Sequence, residues 1–237
     1  MSQNEESTAR DASLAPSGEA LDLRVYELVR ERIIDGTLQP GARIRERELA
    51  EELQISRIPI REAFPRLESE GFIKTLHRRG AVVAQMTVRD VEELFAVRLS
   101  LEVLAARLAA EECARGASPD RLIASLDAAG AAVHGGATAH GGGHAAIAAL
   151  TSSFHDEILV LSSNQLLQNL MIPVEGRIRR LFHLVADRDE EQLHREHRDL
   201  CLAIGNGQTE LAGSLAFAHV ERSRFETMPV IESLLAR

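Results

Sequence analysis

Residues 25–84 read VYELVRERIIDGTLQPGARIRERELAEELQISRIPIREAFPRLESEGFIKTLHRRGAVVA, and the spacing inside this stretch decides the fold. Apolar residues at 25, 28/29 and 33/34 form a helical stripe that ends at Gly36. Pro40-Gly41 is a turn, and RERELAEELQI sets Leu49, Leu53 and Ile55 on a short second helix. Ser56 stands as the cap of a third helix, with Pro59 in the first turn, where a missing N–H costs little. That helix runs to Gly71, and Pro65 inside it removes one hydrogen bond and bends the axis. FIKTL and AVVAQM then form a hairpin around HRRG, with Gly80 at the turn. Three helices followed by a hairpin is the winged helix-turn-helix plan.

Working outward, residues 1–20 are rich in Ser, Ala, Glu, Gly and Pro without periodicity and read as a disordered leader. Beyond Met86 the pattern is helical throughout. Thr87 and Asp90 form a capping box, and Ser118-Pro119 opens a further helix. Residues 130–143 read as a Gly-rich loop. Apolar-periodic segments follow over roughly 145–161, 164–186, 189–205, 208–224 and 228–236, with Pro173 expected to bend the second. The expectation is a mainly α protein: leader 1–20, winged head 21–86, and an all-α bundle of six or seven helices over 87–237.

Composition narrows the class. Hydrophobic residues make up 45% of the 237, enough for a core, and no apolar run approaches the roughly 20 residues that span a bilayer. The polar N-terminus lacks a signal-peptide pattern, and two cysteines suit a reducing cytoplasm. The net charge of −9 is unevenly spread. Residues 21–86 carry 12 Arg and Lys against 11 Asp and Glu, whereas the remainder is acidic. A polyanion should therefore dock on the head.

A recognition helix points its N-terminal residues at base edges, and Arg57 and Arg61 lie there at i and i+4. The planar guanidinium can bond guanine O6 and N7 together. Arg47 is placed to clamp phosphate or reach a base edge, while His77, Arg78 and Arg79 form a cationic wing tip. Paired arginines on a helix are more often only a solvated face. The order of elements favours DNA. The same stretch resembles the GntR-family winged helix over its whole length: the LQPG turn, RERELAEEL, the SR-x-P-x-RE-A core and the RRGAVV wing match in order. The resemblance implies DNA contacts from Arg47, Ser56, Arg57 and Arg61, with His77, Arg79 and Gly80 in the wing. The family's usual Thr is Ile58 here. That exchanges a hydroxyl contact for a thymine-methyl contact and alters the operator expected.

His155, His197 and His219 lie on three different helical segments, each at the edge of an apolar stripe, so all three can face one bundle interior. A helical histidine is more often a satisfied core or surface group, and spacing alone leaves that open. Residues 90–237 also resemble the FCD domain of FadR-type GntR regulators, through VRLSLEVLAARLAA, FHDEI with SSN, EHRDLCLAIGNG and the later A-x-x-H helix. The resemblance implies a divalent metal, zinc or nickel, on His155, His197 and His219. The family's Asp, one turn before the first His, is Thr151 in this chain. The site thereby loses its anionic protein ligand. Arg98 and Arg177 are candidates to hold the second end of an acid effector, with Thr151 orienting a water beside it.

The reading that follows is a homodimeric, ligand-responsive transcriptional regulator that binds palindromic double-stranded operator DNA and is switched by a small organic acid. It resembles a repressor and not an enzyme. One alternative keeps DNA binding with a metal-free pocket. The other, a three-histidine metallohydrolase, lacks an HExxH motif and leaves the head unexplained.

Overall fold

The computed structural model describes residues 18–76, 80–135, 143–185 and 189–235. The expected leader up to residue 17, the wing-tip residues 77–79 and residues 136–142 of the Gly-rich loop lie outside these. The described chain falls into two compact units, one ending at Ala84 and the other starting at Gln85, with Ile33–Pro40 grouped with the second.

The head comprises α1 (Gly18–Ile34), β1 (Arg43–Ile44), α2 (Glu46–Leu53), α3 (Arg57–Ser69), β2 (Ile73–Leu76) and β3 (Gly80–Val83). The strands form an antiparallel sheet in the order β1-β3-β2, with Thr75 opposite Ala81 and Ile44 opposite Ala81 on the other side. β1 has only two residues, too few to show alternation in sequence. Val25 and Val29 of α1, Ile60, Phe64 and Leu67 of α3, and Phe72 and Val83 are among the buried apolar residues of the head. Ser56 holds the N-cap position of α3 with extended backbone but makes no side-chain capping bond. Pro59 explains this, because it stands at one of the two positions whose N–H a capping oxygen reaches, and it has none.

The second unit packs α4 (Val88–Ala114), α5 (Asp120–His134), α6 (Gly143–Leu161), α7 (Gln165–Leu184), α8 (Glu190–Gly205) and α9 (Thr209–Leu235). Six helices are therefore present among the described residues. The Thr87 capping box is formed: the Thr87 hydroxyl accepts from Asp90 N–H, and the Asp90 carboxylate accepts from Thr87 N–H. Ala105, Ala106, Ala109 and Ala110 of α4 are buried with Ala212 and Ala216 of α9, and these small side chains let the two long helices approach closely. Leu122, Phe154, Leu200 and Ile204 complete the same core.

Three boundaries differ from the sequence expectation, the first being that α1 begins at Gly18, inside the expected leader. The region from Gly130 to His134 is helical, not loop. A Cβ at Gly130 would come within 2.7 Å of the His194 ring, so this glycine permits close packing of α8 instead of ending a helix. Segments 208–224 and 228–236 are one helix, α9, with Pro229 inside it. The proline forfeits one backbone bond, while buried Thr227 and Ile231 on either side hold the helix to the core. No helix among the described residues is long and apolar enough to cross a membrane.

Candidate DNA interface and metal centre

α3 buries Ile60, Ala63, Phe64 and Leu67 and turns Arg57, Ile58 and Arg61 to the surface. Ile58 is 64% exposed, an apolar side chain with no packing role in the head. Arg61 Nε lies 2.6 Å from Glu46 at the start of α2, and Arg47 on α2 is 3.6 Å from Glu51. Both pairs are solvent-exposed and weak, so phosphate can displace the carboxylates. Gly80 adopts φ +82°, and a Cβ there would collide with the Ile44 carbonyl oxygen. The β1–β3 contact alone requires this glycine, whatever approaches the wing. His77, Arg78 and Arg79 lie outside the described residues.

In the helical unit, α6, α8 and α9 deliver His155, His197 and His219 to one point, where one nitrogen of each lies within 4.8 Å of the others. Ring centroids are 4.8–5.4 Å apart. His197 and His219 are buried, and Phe154 stacks on the His197 ring at 4.7 Å. A tetrahedral zinc at about 2.0–2.1 Å from each nitrogen needs nitrogens roughly 3.4 Å apart. Small side-chain rotations close that gap, and three imidazoles are donors suited to zinc or nickel. The residues fit a metal.

Two carboxylates missed in the sequence stand behind these rings. Glu196 Oε2 lies 3.0 Å from His219 Nδ1, while its other oxygen meets Arg222 at 2.7 Å and Gln192 at 3.1 Å. Glu102 Oε2 lies 3.8 Å from His155 Nδ1, and Arg98 Nε donates to Glu102 Oε1 at 2.7 Å. Burial pushes both carboxyls up. At Glu102 the Arg98 charge and nearby imidazoles outweigh burial, and at Glu196 the bonds from His219 and Gln192 do, so both stay below the usual carboxylate range. The Arg-x-x-x-Glu spacing of residues 98 and 102 was the available signal for the first. Glu196 gave none, because it reaches a histidine on another helix.

The remaining expected residues separate. Thr151 and His197 line one pocket of ≈ 180 Å³, together with His194 and Glu190. A second pocket of ≈ 260 Å³, part of it open to solvent, is lined by Glu196, His219, Arg222, Ser223 and Glu226. Arg98 is 2% exposed and engaged by Glu102, with the Phe95 and Phe182 rings 5.1 and 5.3 Å from its guanidinium. Arg177 is exposed on α7. Asp156 belongs to a different group, and burial with the adjacent Glu175 pushes it up to about 7. His194 meets His134, ring to edge at 5.7 Å, instead of joining the cluster.

A winged head with an arginine-bearing recognition helix, followed by a helical bundle built around three imidazoles, defines a DNA-binding regulator with a separate sensing domain. Comparison with known proteins agrees. Residues 21–83 match the sequence profile of bacterial regulatory proteins of the gntR family, and residues 93–222 match that of the FCD domain. The uncharacterized HTH-type transcriptional regulator YdhC of Bacillus subtilis is 32% identical over 199 residues, covering 83% of this chain and 86% of YdhC. The gluconate operon transcriptional repressor of Bacillus licheniformis is 44% identical over 80 residues, 34% of this chain and 32% of that protein. A solved chain described as a GntR regulator from Rhodococcus sp. RHA1 superposes with TM-score 0.70 at 26% identity, covering 89% of this chain and 98% of that one. The chain belongs to the gntR family of transcriptional regulators and carries an FCD domain.

Proposed function

We propose that this protein is a cytoplasmic, homodimeric repressor whose hold on double-stranded operator DNA is released by a small organic acid bound beside a divalent metal, zinc or nickel. The convergence of His155, His197 and His219 carries this reading. In it Arg57, Ile58 and Arg61 read bases, with Ser56 at the start of the same helix. Arg47, His77, Arg79 and the Gly80 turn meet the backbone. Val97 and Leu104, exposed on one face of α4, support a subunit contact. The metal supplies open coordination positions for an effector carboxylate. Arg98 holds the acid's second end only by exchanging Glu102 for it, Arg177 meets it from the surface, and Thr151 orients a water at His197. Repression is supported by the likeness of the head to a gluconate operon repressor.

Thr151 favours a second reading, the same regulator with a metal-free pocket. Fluorescence anisotropy of the full chain on duplexes from upstream of its own gene tests the proposal, with zinc and a panel of organic acids added. Binding that weakens steeply with salt and is released by one acid only when zinc is present supports the first reading. Release without zinc supports the second. Binding that no acid alters contradicts both.

A further inference from the structure

Two Arg–Glu–His chains converge on the imidazole cluster. In one, Arg222 and Gln192 hold one oxygen of Glu196 and the other lies 3.0 Å from His219 Nδ1. In the other, buried Arg98 holds Glu102, whose second oxygen faces His155 Nδ1 at 3.8 Å. Each carboxylate approaches its histidine from α8 or α4, away from the helix that carries the ring. A free imidazole can carry its proton on either nitrogen, and only the nitrogen without it can bind a metal. A carboxylate fixed at Nδ1 selects the proton there, bares Nε2 and makes the ring a stronger donor.

We propose that Glu102 and Glu196 are positioning residues that orient the imidazole rings from behind. They set His155 and His219 as Nε2 ligands, with Arg98 and Arg222 anchoring the carboxylates. Each carboxylate is balanced by its own arginine, so what the pairs supply is ring orientation and donor strength. This also gives Arg98 a role that needs no effector. The inference rests on the proposed metal site, but its first readout does not need metal.

Histidine ¹⁵N shifts of the full chain, stripped of metal by chelator, report the tautomer of each ring. His155 and His219 are expected with the proton on Nδ1, and Glu196→Ala is expected to move His219 to the Nε2–H form. Zinc affinity, measured by competition with a chromophoric chelator, is expected to fall about ten-fold or more in Glu196→Gln and in Glu102→Gln. The metal-free Glu196→Gln chain should keep the wild-type far-UV spectrum and cooperative unfolding, which separates positioning from loss of the fold. Nε2–H tautomers in the wild-type chain overturn the proposal, as does zinc affinity unchanged in both variants. If Glu102→Gln fails to fold, the Glu196 variants decide alone. A wild-type chain that binds no zinc overturns the metal site itself, whatever the tautomers show.

Discussion

The Tyr26 hydroxyl on α1 donates to the Glu70 carboxylate at the C-terminus of α3, 2.7 Å from Oε2. Arg66 covers the Tyr26 ring at 3.8 Å and reaches Glu70 at 3.2 Å, so one buried acid ties the first helix to the end of the recognition helix. Tyr26→Phe leaves a carboxylate that is 7% exposed with one partner fewer. A hydrogen bond to a charged group is worth about 1.5–3 kcal/mol, and the arginines that remain, Arg66 at 3.2 Å and Arg30 at 3.9 Å, place the expected loss at the low end. Urea unfolding of the full chain measures it.

The same pair gives a pH signature. Burial and the Glu70 bond push the Tyr26 phenol from 10.0 up to about 12. The folded chain therefore keeps this proton at pH values where the unfolded chain has released it. The stabilisation is complete below pH 10 and is lost as pH rises towards 12. The chain has one tyrosine and no tryptophan, so phenolate absorbance reads this group directly. The midpoint should lie near 12 in the native protein and near 10 in denaturant.

On the recognition face, Arg57→Ala and Arg61→Ala should each weaken operator binding by about 1–3 kcal/mol and relax base preference. Arg79→Ala should weaken binding to all duplexes alike and flatten the salt slope. Glu46→Gln releases Arg61 from its 2.6 Å partner and removes an acid beside the DNA, so affinity should rise several-fold. Ile58→Thr should shift the preferred sequence with little change in non-specific binding. Anisotropy on operator and scrambled duplexes distinguishes these outcomes.

The two thiols should differ in reactivity. Burial pushes Cys201 up to about 11, and it sits in the core with Leu200 and Ile204. Cys113 is only partly buried, though burial raises it as well. Iodoacetamide at pH 8 should label Cys113 first and Cys201 only on unfolding, as peptide mass mapping will show.

Much of the fold was legible because long periodic helices and the Gly-turned hairpin declare themselves locally. The order from α1 to β3, the Thr87 capping box and the convergence of three imidazoles all follow from spacing together with the family pattern. β1 was not legible, since its two residues show no period. Gly130 and Pro229 resemble breakers in sequence, and their real environments are tertiary: a histidine ring against one, and buried neighbours around the other. Glu102 and Glu196 were missed for the same reason. Each serves a histidine on a different helix, and no intrahelical offset encodes that relation.

At the centre of the site, Thr151 shares a pocket with His197, one turn before His155. Thr151→Asp should add an anionic ligand and tighten zinc. No gain would mean that residue 151 does not reach the ion.

The most direct measurement is zinc bound per chain at equilibrium by protein purified without an affinity tag, in the wild type and in His155→Ala, His197→Ala and His219→Ala. The account predicts one zinc per wild-type chain and loss of that zinc in each variant. Equal uptake by the wild type and the His197→Ala variant would contradict it.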